Sequence, residues 1–245
     1  MPSKKISATL RRPNRLRRTI DPMQNTPAGL LDYRPPTSPW LSVIHRDADI
    51  LVLDKPSGLL SVPGKPEAHS DCLQERARKF YRGAMTIHRL DKDTSGVIVM
   101  GMTRKTHANI SMQFEKRETT KTYIARVWGK VEGEAGDIDL PIGSDWDNRP
   151  KQMIDHENGR PAQTRWEVIA REEKVTRLRL TPTTGRSHQL RVHMLSLGHP
   201  ILGDEFYGTA ESRNAATRLQ LHAETLTLLH PGTGRLCTFT AACPF

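Results

Sequence analysis

The sequence has no apolar run near the roughly 20 residues that a membrane-spanning helix needs, so membrane insertion is not expected. Cysteine is scarce: Cys72, Cys237 and Cys243 form no C-x-x-C pair, and any pairing leaves one thiol over. This usage favours a reducing, cytoplasmic location, where disulfides are rare. Aromatic residues make up 5% of the chain and hydrophobic residues 36%, which is typical of a protein with a large polar surface.

Cofactor motifs are absent as well. No G-x-G-x-x-G sequence follows a candidate strand and there is no Walker loop, so a nucleotide cofactor has no support. Among the ten histidines, His188 and His193 lie five residues apart and lack the H-E-x-x-H arrangement of a zinc helix. We predict that the protein needs no metal and no cofactor.

Positive charge is abundant, and its location is uneven. The formal net charge is +10; residues 1–20 hold seven Lys or Arg and no acid, whereas the other residues hold 30 basic and 27 acidic groups. A tail of this composition is expected to be disordered alone. Three interpretations stay open: a tether that neutralises RNA phosphates, a passive extension, or a transit peptide, whose amphipathic helix Pro13 would interrupt.

The body of the chain has the pattern of an α+β protein. Prolines between residues 21 and 39 predict a linker, so residues 1–39 form a tail and linker and residues 40–245 one folded domain. Two strands are predicted around a turn at residues 47–49, and further strands over GVIVMGM, KTYIARVWGKV, VTRLRLTP, LQLHAETLTLLHP and RLCTFTA. This spacing predicts a large, mainly antiparallel sheet flanked by a few helices and long loops.

Three helices and one irregular region complete this prediction. Helices are expected over residues 71–82, from an N-cap at Thr103 to Glu115, and from an N-cap at Ser187 to Gly198. Residues 132–162 are rich in Gly, Pro, Asp and Asn and are expected to form a long irregular excursion.

Several polar stretches are candidates for chemistry, although each has an ordinary explanation when taken alone. Asp91 in TIHRLDKDTSG could be a loop acid, and Tyr123 in KTYIARVWG a core tyrosine. Arg186 and Arg191 in TGRSHQLRVH could be solvated helix residues, or the start of that helix could hold a phosphate.

Taken together, these stretches resemble the RluA-type pseudouridine synthases. HRLDKDTSG is similar to the family signature H-R-L-D-x-x-T-S-G, and KTYIARVWG and TGRSHQLRVH fall where its tyrosine and arginine motifs are expected. LDKPSGLLSVPG, LPIGSDWDNRPKQ, GHPILGDEFYG and LQLHAETLTLLHP extend the resemblance over about residues 40–245. DWDNRPKQ and GHPILGDEFYG look most like the subgroup that modifies both 23S rRNA and the tRNA anticodon stem-loop.

The resemblance implies a pseudouridine synthase fold around a central cleft and a cofactor-free isomerisation, in which uracil leaves its ribose, turns over and rejoins through C5. Asp91 would be the catalytic carboxylate, acting by attack on C1′ or by removal of the C2′ proton. Arg191 would pair with it, while Tyr123 would pack on the base and assist proton removal from C5. Asp93, which is variable in the family pattern, is assigned a turn role.

RNA stem-loops are the implied partner, with the protein acting as a monomer. Arg89 would fill the space of the flipped base, and His88, Lys55, Arg186 and His188 are further RNA-binding candidates; Lys55 could equally be a solvated strand-end lysine. Two rivals remain: a non-catalytic RNA-binding or ribosome-assembly protein with this fold, and a glycosylase that releases uracil. The joint presence of Asp91, Tyr123 and Arg191 favours the enzyme over the first rival.

Overall fold

The computed structural model describes residues 33–245, so the tail predicted over residues 1–20 lies outside the described residues. No helix in the described part is long and apolar enough to cross a membrane. The elements are β1 (Ser42–Arg46), β2 (Ile50–Lys55), α1 (Leu73–Phe80), β3 (Met85–Thr86), β4 (Ser95–Gly101), α2 (Arg104–Glu115), β5 (Thr120–Trp128), β6 (Ala135–Asp139), β7 (Ile142–Ser144), β8 (Gln152–Ile154), β9 (Gln163–Arg171), β10 (Val175–Pro182), α3 (Gln189–Ser196), α4 (Ala210–Asn214), β11 (Leu221–Leu229) and β12 (Leu236–Thr240).

Most of these strands join one ten-stranded sheet. Its order is β1-β2-β4-β11-β5-β10-β9-β6, with β3 beside β4 and β12 beside β11. The β4–β11 pair is parallel and the other pairs are antiparallel. β7 and β8 form a separate two-stranded sheet. The predicted α+β class with a large, mainly antiparallel sheet is therefore confirmed.

Strand β4 is apolar after its first residue, Ser95, because both of its faces are covered. Val97 and Val99 pack in the cluster that contains Ile110 of α2, whereas Ile98 and Met100 pack in the cluster on the α1 side. Successive side chains of a strand point to opposite faces, so a strand covered on both faces needs no polar alternation. The apolar run that follows the HRLDKDTSG stretch thus lies in the interior of the sheet.

The parallel contact between β4 and β11 is unusually close at Gly96. Gly96 pairs with Ala223 and has a φ of +113°, and a Cβ there would lie 2.1 Å from the Ala223 carbonyl oxygen. Only glycine fits such a position. Ala223 also pairs with Tyr123 on β5. β11 therefore sets the distance between the loop that precedes β4 and Tyr123.

Helix α2 confirms the predicted helix and its cap. Thr103 accepts the backbone N–H of Thr106, and the Thr106 side chain accepts the N–H of Thr103, which makes a capping box. Ile110 is buried and Phe114 packs against the same cluster. Helix α1 likewise lies inside the range predicted for it, 71–82.

Two local predictions are wrong. The region 132–162 is not irregular throughout, because it contains β6, β7 and β8 between its turns. Ser187 does not cap the helix that follows it: α3 begins at Gln189, after His188 with a φ of 55°, and no side chain caps it. The Gln189 Oε1 atom instead accepts the backbone N–H of Arg186 at 3.0 Å, which closes the turn from inside the helix.

The described part of the predicted linker contacts the domain. The Tyr33 hydroxyl donates to the Asp71 carbonyl oxygen at 2.7 Å and accepts the Leu60 N–H at 3.0 Å. Trp40 lies against the guanidinium of Arg76, at 4.1 Å from the ring centroid. Residues 33–40 are thus held against α1 and the chain before it.

Candidate active site

An open cleft of about 1010 Å³ lies at the loop that precedes β4 and at the start of α3. Lys and Arg side chains outnumber Asp and Glu along its wall, so a chain body with nearly balanced charge presents a basic surface here. The basic residues are Arg89, Lys92, Arg117, Lys121, Arg149, Arg186 and Arg191, and the acidic residues are Asp91, Asp93, Glu115 and Glu205.

Asp91 lies at the start of a tight turn beside this cleft. Its carbonyl oxygen accepts the N–H of Thr94 at 3.2 Å, and β4 begins at the next residue. The turn therefore spans residues 91–94. Asp93 lies within the turn.

The segment at residues 55–61 holds this loop by its backbone. The Ser57 hydroxyl donates to the carbonyl oxygen of Asp93, and the Ser61 hydroxyl donates to that of Leu90, both at 2.7 Å. The Ser61 Oγ atom also accepts the N–H of Leu90 at 3.1 Å. The two hydroxyls therefore fix the loop on either side of the Asp91 carboxylate.

Lys55 supports the same loop from the interior of the protein, where its side chain is fully buried. Its Nζ donates to three carbonyl oxygens, at 2.9, 2.7 and 2.8 Å, which belong to Pro56, Leu59 and Lys92. Burial lowers the pKa of Lys55 to about 7, against the opposing effect of the nearby Asp93 and Asp91 charges. Both sequence interpretations of Lys55, an RNA contact and a solvated lysine, are wrong because the side chain has no exposed surface.

Arg191 meets the Asp91 carboxylate as the sequence resemblance implied. It is 3% exposed on α3, and its Nη1 donates to Asp91 Oδ2 at 3.2 Å. Burial opposes its charge, but hydrogen bonds and charge from Asp204, with the charge of Asp91, raise the pKa of Arg191 above its ordinary value. Arg186, from the same sequence motif, donates instead to the Pro161 carbonyl oxygen.

Asp204 is a site residue that the sequence reasoning missed. Its carboxylate is buried and accepts Nε and Nη2 of Arg191, each at 2.7 Å. It also accepts the backbone N–H groups of Phe206 and Tyr207, at 2.9 and 3.1 Å. The available signal was a carboxylate next to the apolar run of GHPILGDEFYG, since buried acids require a partner.

Tyr123 projects from β5 into the region between two core clusters and lines the cleft. Burial, and secondarily the negative charge of Asp91, raise the pKa of Tyr123 above its ordinary value. The phenol is therefore protonated at neutral pH, so it offers a flat ring and a hydroxyl rather than a phenolate base.

His188 and two aromatic neighbours surround the Arg191 guanidinium. The His188 Nδ1 and Tyr207 Oη atoms are 2.7 Å apart, and the rings of Phe206 and Tyr207 each lie with their centroid 5.1 Å from the Arg191 Cζ. Burial raises the pKa of Tyr207 to about 12 and lowers that of His188. His188 lines the cleft, where its neutral ring contributes polar and flat surface.

Arg89 and His88 occupy different positions although they are adjacent in sequence. Arg89 is exposed on the cleft wall. The His88 ring also reaches the cleft, but its Nε2 accepts the Val99 N–H at 3.1 Å and its face stacks on Phe114 at 4.6 Å. Burial, with a smaller contribution from Lys121, lowers the pKa of His88 to about 3, so the ring is neutral at physiological pH.

A second polar cluster lies at the β1–β2 turn. Asp47, Asp49 and His230 present potential metal ligands within 4.8 Å of one another. The Asp47 Oδ2 atom accepts Nε2 hydrogen bonds from His45 and His230, at 2.8 and 2.9 Å. These hydrogen bonds give the Asp47 carboxylate partners without a metal ion. The absence of a metal requirement stays a prediction.

These observations place an Asp–Arg pair and a tyrosine in a basic cleft, as the sequence resemblance implied. A family model described as RNA pseudouridylate synthase matches residues 49–196. The chain belongs to the RNA pseudouridylate synthase family. Members of this family convert uridine to pseudouridine in RNA, and the predicted enzyme class is confirmed. The synthase is therefore an isomerase that acts on RNA.

Relatives and solved structures agree with this assignment. The synthase is 50% identical over 218 residues to "Dual-specificity RNA pseudouridine synthase RluA" from Salmonella typhi, a match that covers 89% of this chain and 100% of that protein. The protein of the same name from Vibrio parahaemolyticus is 47% identical, with 88% of each chain covered. The structure of human RNA Pseudouridylate Synthase Domain Containing 1 has a TM-score of 0.71 at 30% identity, over 84% of each chain. The predicted pseudouridine synthase fold is confirmed.

Proposed function

We propose that the synthase isomerises uridines in two kinds of RNA stem-loop, one in 23S rRNA and one in the anticodon arm of tRNA. Relatives from Salmonella and Vibrio are named as dual-specificity enzymes, and their likeness spans 88% or more of each chain, which supports two kinds of target. The motifs DWDNRPKQ and GHPILGDEFYG support the same subgroup. The open, basic cleft suits a folded RNA rather than a free nucleoside.

Asp91 is the proposed catalytic residue, and the observation that carries this assignment is its 3.2 Å pairing with the buried Arg191 guanidinium. A charge-assisted bond orients a carboxylate more firmly than a neutral one does. Ser57 and Ser61 hold the backbone of the same loop, so the carboxylate is fixed from two sides. Asp93 lies beside it without any such support from Arg191.

The carboxylate has two routes to the same product. In the first it attacks C1′ as the bond from C1′ to N1 breaks, and C5 of the rotated uracil later displaces it. In the second it takes the C2′ proton as the same bond breaks, and returns that proton after C5 has rejoined C1′. Both routes end with a proton lost from C5 and one gained at N1. Deuterium at C2′ slows the reaction by a primary isotope effect only in the second route.

Base flipping explains the remaining assignments. A uridine in a stem-loop must leave its stack before C1′ is accessible, at a cost of about a few kcal/mol. We assign the exposed Arg89 to the space that the base leaves, and Tyr123 to the face of the flipped base. Arg186 and His188 are assigned to the RNA backbone near the start of α3, and the neutral His88 to the cleft wall.

A pair of aspartate variants tests the central assignment. Asp91→Asn should abolish pseudouridine formation on transcripts of tRNA and 23S rRNA while RNA affinity stays within about threefold. Asp93→Asn, two residues away and exposed to the same cleft, is the matched control and should retain activity. Turnover by Asp91→Asn contradicts the assignment, and loss of activity in Asp93→Asn favours a mechanism with two carboxylates.

The choice of targets is tested separately. Pseudouridine should be mapped in total cellular RNA with active synthase and, for comparison, with Asp91→Asn. Sites that depend on the active synthase should occur in both RNA classes, and sites in a single class contradict dual specificity.

We further propose that the synthase acts as a cytoplasmic monomer. Light scattering after size exclusion should then give a mass near 27.7 kDa, and fractionation should recover the synthase with the cytosol.

A further inference from the structure

The loop between β7 and β8 forms part of the rim of the cleft. Arg149 and Pro150 line the cleft from this loop, together with the strand residues Ser144 and Gln152 on either side. The loop is internally ordered, since the Asp145 carboxylate accepts the Asn148 side-chain amide at 3.0 and 2.9 Å and its backbone N–H at 3.2 Å. Its shape is therefore set before any ligand arrives.

Trp146 lies on this loop with 71% of its surface exposed, beyond the cleft wall itself and next to Arg149, which lines it. The Arg149 guanidinium lies over one face of the indole, with Cζ 3.6 Å from the ring centroid. Within residues 33–245, no carboxylate forms an ion pair with Arg149. The pair therefore presents an open aromatic face and a cation without an acidic partner at the cleft rim.

This loop is connected to the catalytic centre by a hydrogen bond. The Gln152 N–H, at the start of β8, donates to the Tyr207 hydroxyl at 2.8 Å. Tyr207 in turn contacts the Arg191 guanidinium, which meets Asp91. A nucleotide held at Trp146 would therefore lie at a defined position relative to the carboxylate.

We propose that Trp146, backed by Arg149, is a stacking subsite for an unpaired nucleobase that flanks the target uridine. The proposal rests on the action of the synthase on RNA. A target that leaves its stack exposes the faces of neighbouring bases, and an indole face replaces such a lost stacking partner without reading sequence. Arg149 also offers its charge to the phosphate of the same nucleotide.

Several features of the site favour a nucleobase as the occupant. The surrounding wall is basic, whereas a hydrophobic protein partner would need an apolar patch around the tryptophan. The neighbours of Trp146 in the loop, Asp145, Asp147, Asn148 and Arg149, are polar. An isolated ring stacked on a guanidinium at the edge of a basic cleft matches the mixed aromatic and cationic surfaces that bind single-stranded RNA.

Trp146→Ala and Trp146→Phe test this proposal by kinetics. With in vitro transcripts of 23S rRNA and tRNA as probes, Trp146→Ala should raise KM by about 10-fold, within the range expected for loss of one base stack. The value of kcat should stay within about twofold, because stacking holds the RNA equally in the ground and transition states. Trp146→Phe keeps a flat ring and should restore KM to within about threefold of wild type.

Phe80→Ala is the matched control, since Phe80 is an exposed aromatic residue on α1, a helix that contributes no residue to the cleft wall. It should leave both KM and kcat unchanged. Circular dichroism and thermal unfolding should be the same for all variants, because both side chains are exposed. An unchanged KM in Trp146→Ala, or an equal rise in Trp146→Phe, overturns the subsite.

Fluorescence gives a readout that a purely structural role would not affect. The chain has four tryptophans, and stacking of a base on Trp146 should quench its emission when RNA is added. This quenching should disappear in Trp146→Phe although the other three tryptophans remain. If wild type forms pseudouridine and shows no such difference, the subsite is wrong and the enzyme assignment stands. If wild type forms no pseudouridine in any RNA tested, the proposed function fails instead.

Discussion

Arg191 and Asp204 form a bidentate ion pair in which Nε and Nη2 each donate to one carboxylate oxygen at 2.7 Å. Both side chains are buried. This pairing leaves Nη1 directed at Asp91, at 3.2 Å. Asp204 therefore determines the direction of the guanidinium that contacts the proposed catalytic carboxylate.

Replacing Asp204 by Asn should impair both stability and turnover. The amide removes the negative charge but keeps an oxygen that can accept the N–H groups of Phe206 and Tyr207. Removing one partner of a buried ion pair costs about 3–5 kcal/mol of unfolding free energy, and the bond to Asp91 would be the remaining ion pair of Arg191. We expect kcat to fall by about 10- to 100-fold because Arg191 loses the bidentate support that orients its Nη1 towards Asp91. The rate of pseudouridine formation with saturating RNA measures this effect.

Asp137→Asn is the control for this prediction. Asp137 pairs with Arg165 at 3.3 Å, but both side chains are more than half exposed. An exposed pair of this kind contributes about 0–1 kcal/mol, so stability and kcat should change little. Equal effects of the two substitutions would show that Asp204 has no special role in orienting Arg191.

Replacing Lys55 by Met should loosen the loop that carries Asp91. The substitution removes the Lys55 donor from the carbonyl oxygens of Pro56 and Leu59, and leaves that of Lys92 with the Gly58 N–H alone, while it keeps a long side chain. A buried acceptor left without a partner costs about 1–3 kcal/mol. Urea denaturation should show a fall of about 2–4 kcal/mol in unfolding free energy, together with a lower kcat.

Lys105→Met provides the comparison, since Lys105 is exposed on α2. It should leave both measurements near wild type. Normal stability and turnover in Lys55→Met would contradict a supporting role for this buried ammonium group.

His88 predicts a specific dependence of stability on pH. The unfolded chain binds a proton at His88 below about pH 6.5, whereas the folded chain does so only below a pKa of about 3. Between these values the unfolded state binds more protons, so this contribution to stability is lost as pH falls from 6.5 towards 3. The slope is at most about 1.4 kcal/mol per pH unit.

His88→Gln should remove this dependence, because glutamine does not titrate and its amide oxygen reaches about the position of Nε2, where it can still accept the Val99 N–H. Urea denaturation between pH 7 and pH 4 measures it. The difference in unfolding free energy between wild type and variant should shrink as the pH is lowered. A difference that is constant over this interval would mean that His88 is not buried in its neutral form.

The basic tail is proposed to contribute electrostatic affinity for RNA. Tyr33 contacts Leu60, which lines the cleft, so the described part of the chain begins beside the cleft. Deleting residues 1–20 should weaken binding of a tRNA transcript by about 10-fold at 50 mM salt and much less at 300 mM, because phosphate contacts are salt-dependent. Substituting all seven basic residues of this tail by Gln should have the same effect, whereas equal affinity at low salt would make the tail a passive extension.

The features that the sequence predicted well are those with local signals. Thr103 has its capping partner three residues away, and the strand predicted around Tyr123 is nine residues long. Asp91, Tyr123 and Arg191 were identified through the family resemblance and not through a local pattern. The prediction that they lie in one cleft came from the same resemblance. β6, β7 and β8 were missed because strands of three to five residues are too short to show a period.

Asp204 and Lys55 were not predictable in this way for a physical reason. Lysine and aspartate are usually exposed, and their burial depends on partners supplied by the folded chain. The three carbonyl oxygens around Lys55 come from two separate turns, at residues 56–59 and at residue 92. Asp204 is 13 residues from Arg191, and only the return of the chain after α3 brings the two together.

The contact between Gly96 and Ala223 also has a consequence for biosynthesis. β11 lies between β4 and β5, so the strands beside Asp91 and Tyr123 are neighbours only through it. A nascent chain that ends before Ala223 carries both residues but has no strand to hold them at their working distance. Sheet pairing over such separations forms slowly and late. The catalytic centre therefore depends on a strand that follows Asp91 and Tyr123 by about a hundred residues, and a chain shortened before Ala223 should form no pseudouridine.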